Sequence, residues 1–148
     1  MSTLLDTILA DIKTAMKARD MAAVTALRGL HAAIKDVTVN AGKEVTDEAI
    51  VTCVNKAIKQ REESIVQYKA GNREDLAAKE QAELDLIKKY QPQQLTEAEI
   101  EEVVKAVIAE TGVASAKEKG KLMGALMPRV KGRADGRLVN QVVGRLLA

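Results

Sequence analysis

The chain has 148 residues, 47% of them apolar, which is enough to bury the core of one ordinary domain or of two small ones. Its formal net charge of +2 is too small to indicate, by itself, a polyanionic or an acidic partner. With no Phe, no Trp and two Tyr, the core has to be built from aliphatic side chains, a composition that suits helices packed on helices.

The first 42 residues predict two amphipathic helices, because apolar residues recur at three- and four-residue spacings. Ser2 is the predicted N-cap of the first helix. A second helix is predicted to begin after Asp20 and to end at Asn40 and Gly42.

Residues 47–90 predict a long, highly charged helical hairpin. Thr46 precedes two acidic residues and is the expected start of its first helix. Gly71 is the expected stop of that helix, and Asn72 is the expected N-cap of the next, which covers residues 73–90.

A domain boundary is predicted at Pro92, since proline cannot continue a helix and the glutamines around it carry no apolar pattern. Thr96 and Glu99 then form the pattern of a capping box, which signals a fifth helix. Gly112 is its predicted end.

The last third of the chain predicts two further helices. Ser115 with Glu118 repeats the capping-box pattern before helix six, which Gly132 is expected to end, and Asp135 is the predicted cap of helix seven. Helix six also contains Gly120 and Gly124, for which we expect close packing against another helix. A kink or weak turn is expected over residues 124–128, because Pro128 crowds the carbonyl four residues earlier.

No segment alternates with a period of two residues, so an all-α fold is predicted. We expect a larger N-terminal helical domain over 1–94 and a small C-terminal three-helix domain over 95–148. Residues 115–148 carry 8 basic and 2 acidic side chains, which makes the end of the second domain strongly basic.

The segment "MPRVKGRADGRLVN" invites comparison with a phosphate-binding loop, but no phosphate-loop or dinucleotide motif is present. Gly120-Lys121 lacks the earlier glycine and the following Ser or Thr of a Walker sequence, and Gly132 and Gly136 have the wrong spacing for a dinucleotide fingerprint. Asp135 would repel an anion from the start of helix seven. The segment is therefore interpreted as a connector between two helices.

The basic residues of this region are the candidate functional group, because cationic side chains bind nucleic-acid phosphates. The predicted RNA-binding residues are Lys117, Lys121, Arg129, Lys131, Arg133, Arg137, Asn140 and Arg145. The alternative is that these are ordinary solvated side chains.

No catalytic centre, metal site or cofactor is predicted. His31 is the single histidine, which excludes a Ser-His or multi-histidine arrangement within one chain, and it is interpreted as a residue at the edge of the core. Cys53 is interpreted as an inert small apolar residue. The N-terminal residues have no secretory pattern and no apolar stretch reaches the length of a membrane span, so a soluble cytoplasmic protein without a membrane partner is expected.

The segment "GKLMGALMPRVKGRADGRLVNQVVGRLL" closely resembles the end of YqeY-like proteins, and "ALRGLHAAIKD", "KQREESIVQYKAGNREDLAAKEQAEL" and "YQPQQLTEAEI" resemble the same family. YqeY-like proteins are similar to the tail domain of the B subunit of aspartyl/glutamyl-tRNA amidotransferase, a carbon-nitrogen ligase that uses glutamine as amido-N-donor. The resemblance implies two all-α parts and an association with tRNA. Pro128 and the "ADG" at 134–136 depart from the usual pattern of the amidotransferase tail.

The resemblance implies a non-catalytic module that contacts tRNA or another structured RNA through the basic C-terminal unit. One alternative is an adaptor that docks on an aminoacyl-tRNA synthetase or an amidotransferase through the 47–90 hairpin. An enzyme in its own right and a helix-turn-helix DNA reader remain open as lesser alternatives, the latter because Arg137, Asn140 and Gln141 could reach base edges.

Overall fold

The computed structural model describes residues 2–148, and within that range the backbone forms seven α-helices and no strand. The predicted all-α class is confirmed. The chain separates into two compact units between Gln91 and Pro92, at the proline that marks the boundary in the sequence and three residues before the expected domain limit at residue 94.

The N-terminal unit contains four α-helices and a short 3₁₀ turn. They are α1 (Thr3–Lys17), α2 (Met21–Val37), the 3₁₀ turn Val39–Ala41, α3 (Asp47–Ala70) and α4 (Glu74–Lys88). The second helix ends before the predicted residues Asn40 and Gly42. Gly42 instead ends the 3₁₀ turn in the left-handed conformation, with φ of 71°.

Three predicted N-caps of this unit are confirmed. The hydroxyl of Ser2 accepts a hydrogen bond from the backbone N–H of Leu5 at 3.0 Å, and Asp20 and Thr46 accept equivalent bonds at the starts of α2 and α3. Each bond satisfies one of the amides that the first turn of a helix leaves without a backbone partner.

The core of the N-terminal unit is aliphatic, as the composition requires, and all four helices contribute to it. Its most deeply buried side chains include Ile8, Leu27, Ile34, Ile50, Val54 and Ile87. Tyr90 is also buried, and its hydroxyl donates a hydrogen bond to Asp11 Oδ2 at 2.6 Å. This bond ties the segment after α4 to α1.

The corner between α3 and α4 differs from the prediction. Helix α3 does end before Gly71, but this glycine has an ordinary φ of −89°, and Asn72 takes the left-handed conformation with φ of 59°. The N–H of Arg73 then closes the turn on the carbonyl of Tyr68 at 2.8 Å. Asn72 is consequently not the N-cap of α4; Arg73 holds that position and its side chain makes no capping bond. Asparagine can replace glycine here because it tolerates the left-handed region better than most residues.

The C-terminal unit packs α6 and α7 on α5. Its elements are α5 (Glu97–Thr111), the 3₁₀ turn Ala116–Glu118, α6 (Lys119–Val130) and α7 (Gly136–Leu147). The capping box of Thr96 and Glu99 is confirmed in both directions, with both hydrogen bonds at 3.2 Å. Gly112 ends α5 with φ of 71°, as predicted.

The second predicted capping box is wrong. Ser115 precedes the 3₁₀ turn and makes no side-chain capping bond, and α6 begins only at Lys119. The extra turn moves the start of the α-helix beyond the reach of the Ser115 hydroxyl. The backbone of α6 then stays helical through Pro128 to Val130. Its buried residues Leu122, Leu126 and Val130 pack with residues of α5 and α7 in one aliphatic core.

Candidate nucleic-acid interface

The loop between α6 and α7 is a helix connector, as the sequence indicates. Gly132 adopts the left-handed conformation with φ of 79°, and Asp135 caps α7 by accepting a hydrogen bond from the N–H of Arg137 at 2.9 Å. The Asp135 carboxylate therefore occupies the end of α7 where an anion would otherwise bind.

The same loop is held in place by the segment that precedes α5. The N–H of Leu95 donates to the carbonyl of Arg133 at 2.7 Å, and the amide of Gln94 donates to the carbonyl of Gly132 at 3.0 Å. The Nε of Arg133 in turn donates to the carbonyl of Gln93 at 3.5 Å. Arg133 thus helps to fix the loop, so a change at this position affects the local structure as well as the surface charge.

The polar candidates of the C-terminal unit all have exposed side chains. They are Lys117, Lys121, Arg129, Lys131, Arg133, Arg137, Asn140 and Arg145. Exposure leaves each of them accessible to a large partner, but their electrostatic surroundings differ.

Two of these arginines are paired with carboxylates of α5. Arg129 forms a bidentate ion pair with Glu110, and this contact lowers the pKa of Glu110. Arg145 bridges Glu97 at 3.0 Å and Glu101 at 3.1 Å. Their charges are locally compensated, so they attract a polyanion less than the sequence count suggests.

Other cations are not compensated in this way. Within residues 2–148, the side chains of Lys117, Lys121 and Arg137 make no ion pair. Lys117 and Lys121 are four residues apart across the start of α6, and Arg137 lies in the first turn of α7. Asn140, one turn further along α7, donates from Nδ2 to the carbonyl of Gly136 at 3.0 Å. We call Lys117, Lys121 and Arg137 the unpaired cations; among the described residues Arg133 makes no ion pair either, but it is set apart because its guanidinium donates to the Gln93 carbonyl.

The helical glycines of this unit have a different environment from the one predicted. Gly120 and Gly124 are exposed, and no atom of the described chain outside their own helical turns lies within 4 Å of the position that a Cβ would take. The expected close packing of α6 against another helix at these residues is therefore wrong. Gly144 on α7 has the same open surroundings. At these glycines no side chain projects from the outer surfaces of α6 and α7.

Two further reactive side chains, His31 and Cys53, lie in the N-terminal unit. His31 is half-buried, and burial followed by the charge of Lys35 lowers its pKa, in agreement with a position at the edge of the core. Cys53 is buried, and burial raises the pKa of its thiol. Among residues 2–148 no three His, Cys, Asp or Glu side chains are grouped as a metal ion would require.

The sequence model of the YqeY-like protein family matches residues 5–147, nearly the whole chain. The chain belongs to the YqeY-like family. The match covers both helical units, so the family assignment applies to the N-terminal unit as well as to the basic C-terminal unit.

Curated relatives carry the name altered inheritance of mitochondria protein 41, mitochondrial. The YqeY-like chain is 36% identical over 137 residues to the protein of Pyrenophora tritici-repentis, covering 90% of this chain and 74% of that protein. It is 39% identical over 92 residues to a protein of Saccharomyces cerevisiae, covering 62% and 50% of the two chains. It is 37% identical over 103 residues to the protein of Lachancea thermotolerans, covering 68% of this chain and 55% of that protein. The matched region thus spans about half the length of the two yeast relatives.

None of the helices in the described part of the chain has the length and apolar character needed to cross a bilayer. The cytoplasmic location expected from the sequence stays a prediction, and the word mitochondrial belongs to the names of the relatives.

Proposed function

We propose that the C-terminal unit of this YqeY-like protein is a non-catalytic module that binds structured RNA, with tRNA as the first candidate. The observation that carries the proposal is the set of unpaired cations beside exposed helical glycines. Phosphates attract uncompensated positive charge, and helix surfaces without side-chain bulk allow a phosphate backbone to come close.

The chemistry of the unit favours RNA shape and backbone over individual bases. Residues 92–148 contain no aromatic side chain, so splayed bases would have no stacking surface. Structured RNA is instead recognised through phosphates and 2′-hydroxyls. Asn140 and Gln141 are exposed on α7. Their side-chain amides can donate hydrogen bonds to a 2′-hydroxyl or accept them from it.

The proposal is tested by filter binding of nuclease-treated full-length protein to a tRNA pool at several salt concentrations. About three phosphate contacts should give a fall of about 2 to 3 in log K per tenfold rise in salt. Lys121→Glu and Arg137→Glu should each weaken binding about tenfold or more, because each replaces an unpaired cation with an anion.

A matched control is Lys13→Glu, which reverses an exposed lysine on α1 of the other unit. It should leave the affinity within about twofold of the parent chain, since it lies outside the proposed surface. Absence of a complex at low salt, or equal losses in the control and in the two test variants, would refute RNA binding by the C-terminal unit.

A second candidate is an adaptor role for the hairpin of α3 and α4, with an aminoacyl-tRNA synthetase or an amidotransferase as partner. The observation in its favour is Val66, an apolar side chain that is 67% exposed near the end of α3. A nuclease-resistant complex with either enzyme that Val66→Asp abolishes would support the adaptor role. Binding that disappears with nuclease treatment would support the RNA-binding role.

A further inference from the structure

The part of α2 centred on Gly29 carries one charged residue over an arc of about 160°. The residues exposed within this arc are Met21, Ala22, Thr25, Gly29, Ala32, Ala33, Asp36 and Val37, of which only Asp36 is charged, and the exposed Arg28 and Lys35 lie beyond Met21 on one flank. A helix whose outer side faces water normally carries charged and polar residues there. We call these eight residues the outer face of α2.

Gly29 lies at the middle of this face and is not explained by packing within the N-terminal unit. No described atom beyond its own helical turn approaches within 4 Å of where its Cβ would stand. Glycine inside a helix costs about 0.5 to 1 kcal/mol relative to alanine. Its presence at an open position is explained if another backbone comes close to α2 at this point.

Exposed apolar side chains mark both ends of the same face. Met21 is 62% exposed and Val37 is 49% exposed, and each lies eight residues from Gly29. At a rise of about 1.5 Å per residue, each is about 12 Å from the glycine along the helix axis. Val39 in the following 3₁₀ turn is a further exposed apolar side chain, at 59%.

A cleft adjoins the N-terminal end of this face. It has a volume of about 480 Å³ and lies between α2 and α4. Its apolar lining is formed by Met21, Ala22, Ala23, Ala26, Ala82 and Leu86. Asp20, Thr25, Lys79 and Glu83 complete the lining, so the cleft is largely but not wholly apolar. It lies at one end of α2, and the exposed apolar side chains Val37 and Val39 lie at the other.

We propose that the outer face of α2 binds a second copy of this chain, with the two α2 helices antiparallel and a two-fold axis passing beside Gly29. Such an interface is self-complementary, because each copy contributes the same surface. Residues at equal distances before and after Gly29 then lie at the same level, so Val37 of the second copy reaches the level of Met21. Small residues at the crossing point allow the axes to approach to about 8 Å.

The helix geometry also selects the side on which Val37 arrives. At about 100° per residue, Val37 and Ala26 lie on the same side of Gly29, about 80° and 60° around the helix. The two-fold axis places this side of both α2 helices on the same side of the interface. Val37 of the second copy therefore lies next to Ala22 and Ala26, where the cleft begins. Val37 of each copy therefore packs at the cleft between α2 and α4 of the other copy.

The charge at the edge of the face agrees with this pairing. Asp36 of the second copy reaches the level of Ala22, three residues after Arg19, which lies in the turn between α1 and α2. Arg19 is exposed and has no ion-pair partner among residues 2–148. An Asp36–Arg19 contact would occur twice in the dimer, once at each end.

Sedimentation velocity of nuclease-treated full-length protein over a range of concentrations tests the proposal. The parent chain should form a dimer whose fraction rises with concentration, and Gly29→Arg should be a monomer at every concentration. The variant should keep its helical circular dichroism, because the added side chain has open space in the monomer. Gly144→Arg, at an exposed helical glycine of the other unit, should dimerise like the parent chain.

A covalent measurement gives an independent answer. Gly29→Cys should form a disulfide-linked dimer on mild oxidation at low micromolar concentration, since the two copies of this position lie beside the two-fold axis. Gly144→Cys should remain largely monomeric under the same conditions. A parent chain that sediments as a monomer at all concentrations, or a dimer that Gly29→Arg leaves intact, would overturn the proposal.

Discussion

Left-handed backbone positions illustrate how far single residues can be interpreted from the sequence. Gly112 and Gly132 were predictable helix ends, because glycine is the residue that adopts positive φ without strain. Asn72 and Arg19 take the same conformation, with φ of 59° and 58°, without a glycine to signal it. At Arg19 the helix end is set by the turn that brings Asp20 N–H to the carbonyl of Ala15 at 3.0 Å. This bond belongs to a local helix-ending motif that usually has glycine at the left-handed position, and no glycine marks it in this sequence.

Arg19→Gly is therefore expected to stabilise the N-terminal unit by about 1 kcal/mol, since a non-glycine residue in this conformation is strained by about that amount. Urea unfolding followed by tyrosine fluorescence suits the measurement, because Tyr68 and Tyr90 both lie in this unit. Gly71→Ala is the control, since φ of −89° suits alanine and its Cβ would meet only ordinary contacts. A loss of stability in Arg19→Gly would contradict this explanation of the turn.

The Tyr90–Asp11 pair gives a pH-dependent prediction. The hydrogen bond from Tyr90, followed by the contact with Lys89, lowers the pKa of Asp11 below its ordinary value of 3.8. A carboxylate with a lowered pKa stabilises the folded state above its unfolded pKa, and the contribution is lost as the pH falls through the folded pKa. Tyr90→Phe should cost about 1 kcal/mol near neutral pH.

The loss caused by Tyr90→Phe should become smaller as the pH falls below about 4, the ordinary pKa of an aspartate, and then through the lowered folded-state pKa of Asp11, where the folded protein also takes up the proton. Urea unfolding of the parent chain and the variant at neutral and acidic pH measures the difference. An equal difference in the free energy of unfolding at both pH values would show that the hydroxyl does not act through the Asp11 carboxylate.

Helix starts and ends were the best-predicted elements, and connections between helices were the least. Capping residues act on amides two or three positions away, so Ser2, Asp20, Thr46 and Asp135 could be identified from the sequence alone. Ser115 matched the same pattern but precedes a 3₁₀ turn, because the pattern does not show which kind of helix follows.

The glycines of α6 could be found in the sequence, but their environment could not. Gly124→Ala should raise the stability of the C-terminal unit by about 0.5 to 1 kcal/mol, since the site is an exposed helix interior with open space for a methyl group. If RNA approaches α6 closely, the same change should weaken RNA binding. Thermal unfolding followed by circular dichroism measures the gain in stability, and filter binding measures the loss of RNA affinity. A stabilised variant with unchanged affinity would exclude Gly124 from the contact surface.

At the scale of the whole molecule, the sequence predicted where the charge is concentrated but not which charges remain available. Arg129 and Arg145 looked equivalent to Lys121 and Arg137 in a count of basic residues. The fold brings the first two against carboxylates of α5 and leaves the second two without an ion pair within residues 2–148. Pairing depends on helix packing across up to 48 positions of sequence, which local patterns do not encode. The set of uncompensated cations is therefore smaller than the predicted set of RNA-binding residues.

The outer face of α2 gives a similar lesson for the N-terminal unit. The sequence showed alanines and a glycine in "ALRGLHAAIKD", but only the fold shows that several of them are exposed and border a cleft. Since this face and the RNA-binding candidates lie in different units, the two proposals can be tested with separate variants. Failure of one leaves the other intact.

The most direct test of the central claim is a ¹H–¹⁵N titration of the labelled full-length protein with unlabelled tRNA at low salt. RNA binding by the C-terminal unit predicts that amide signals of residues 117–145 shift or broaden first, with Lys121 and Arg137 among them. Signals of α1 should change little, and the effect should diminish as salt is added. Changes confined to the α3–α4 hairpin, or no change at any tRNA concentration, would contradict the assignment.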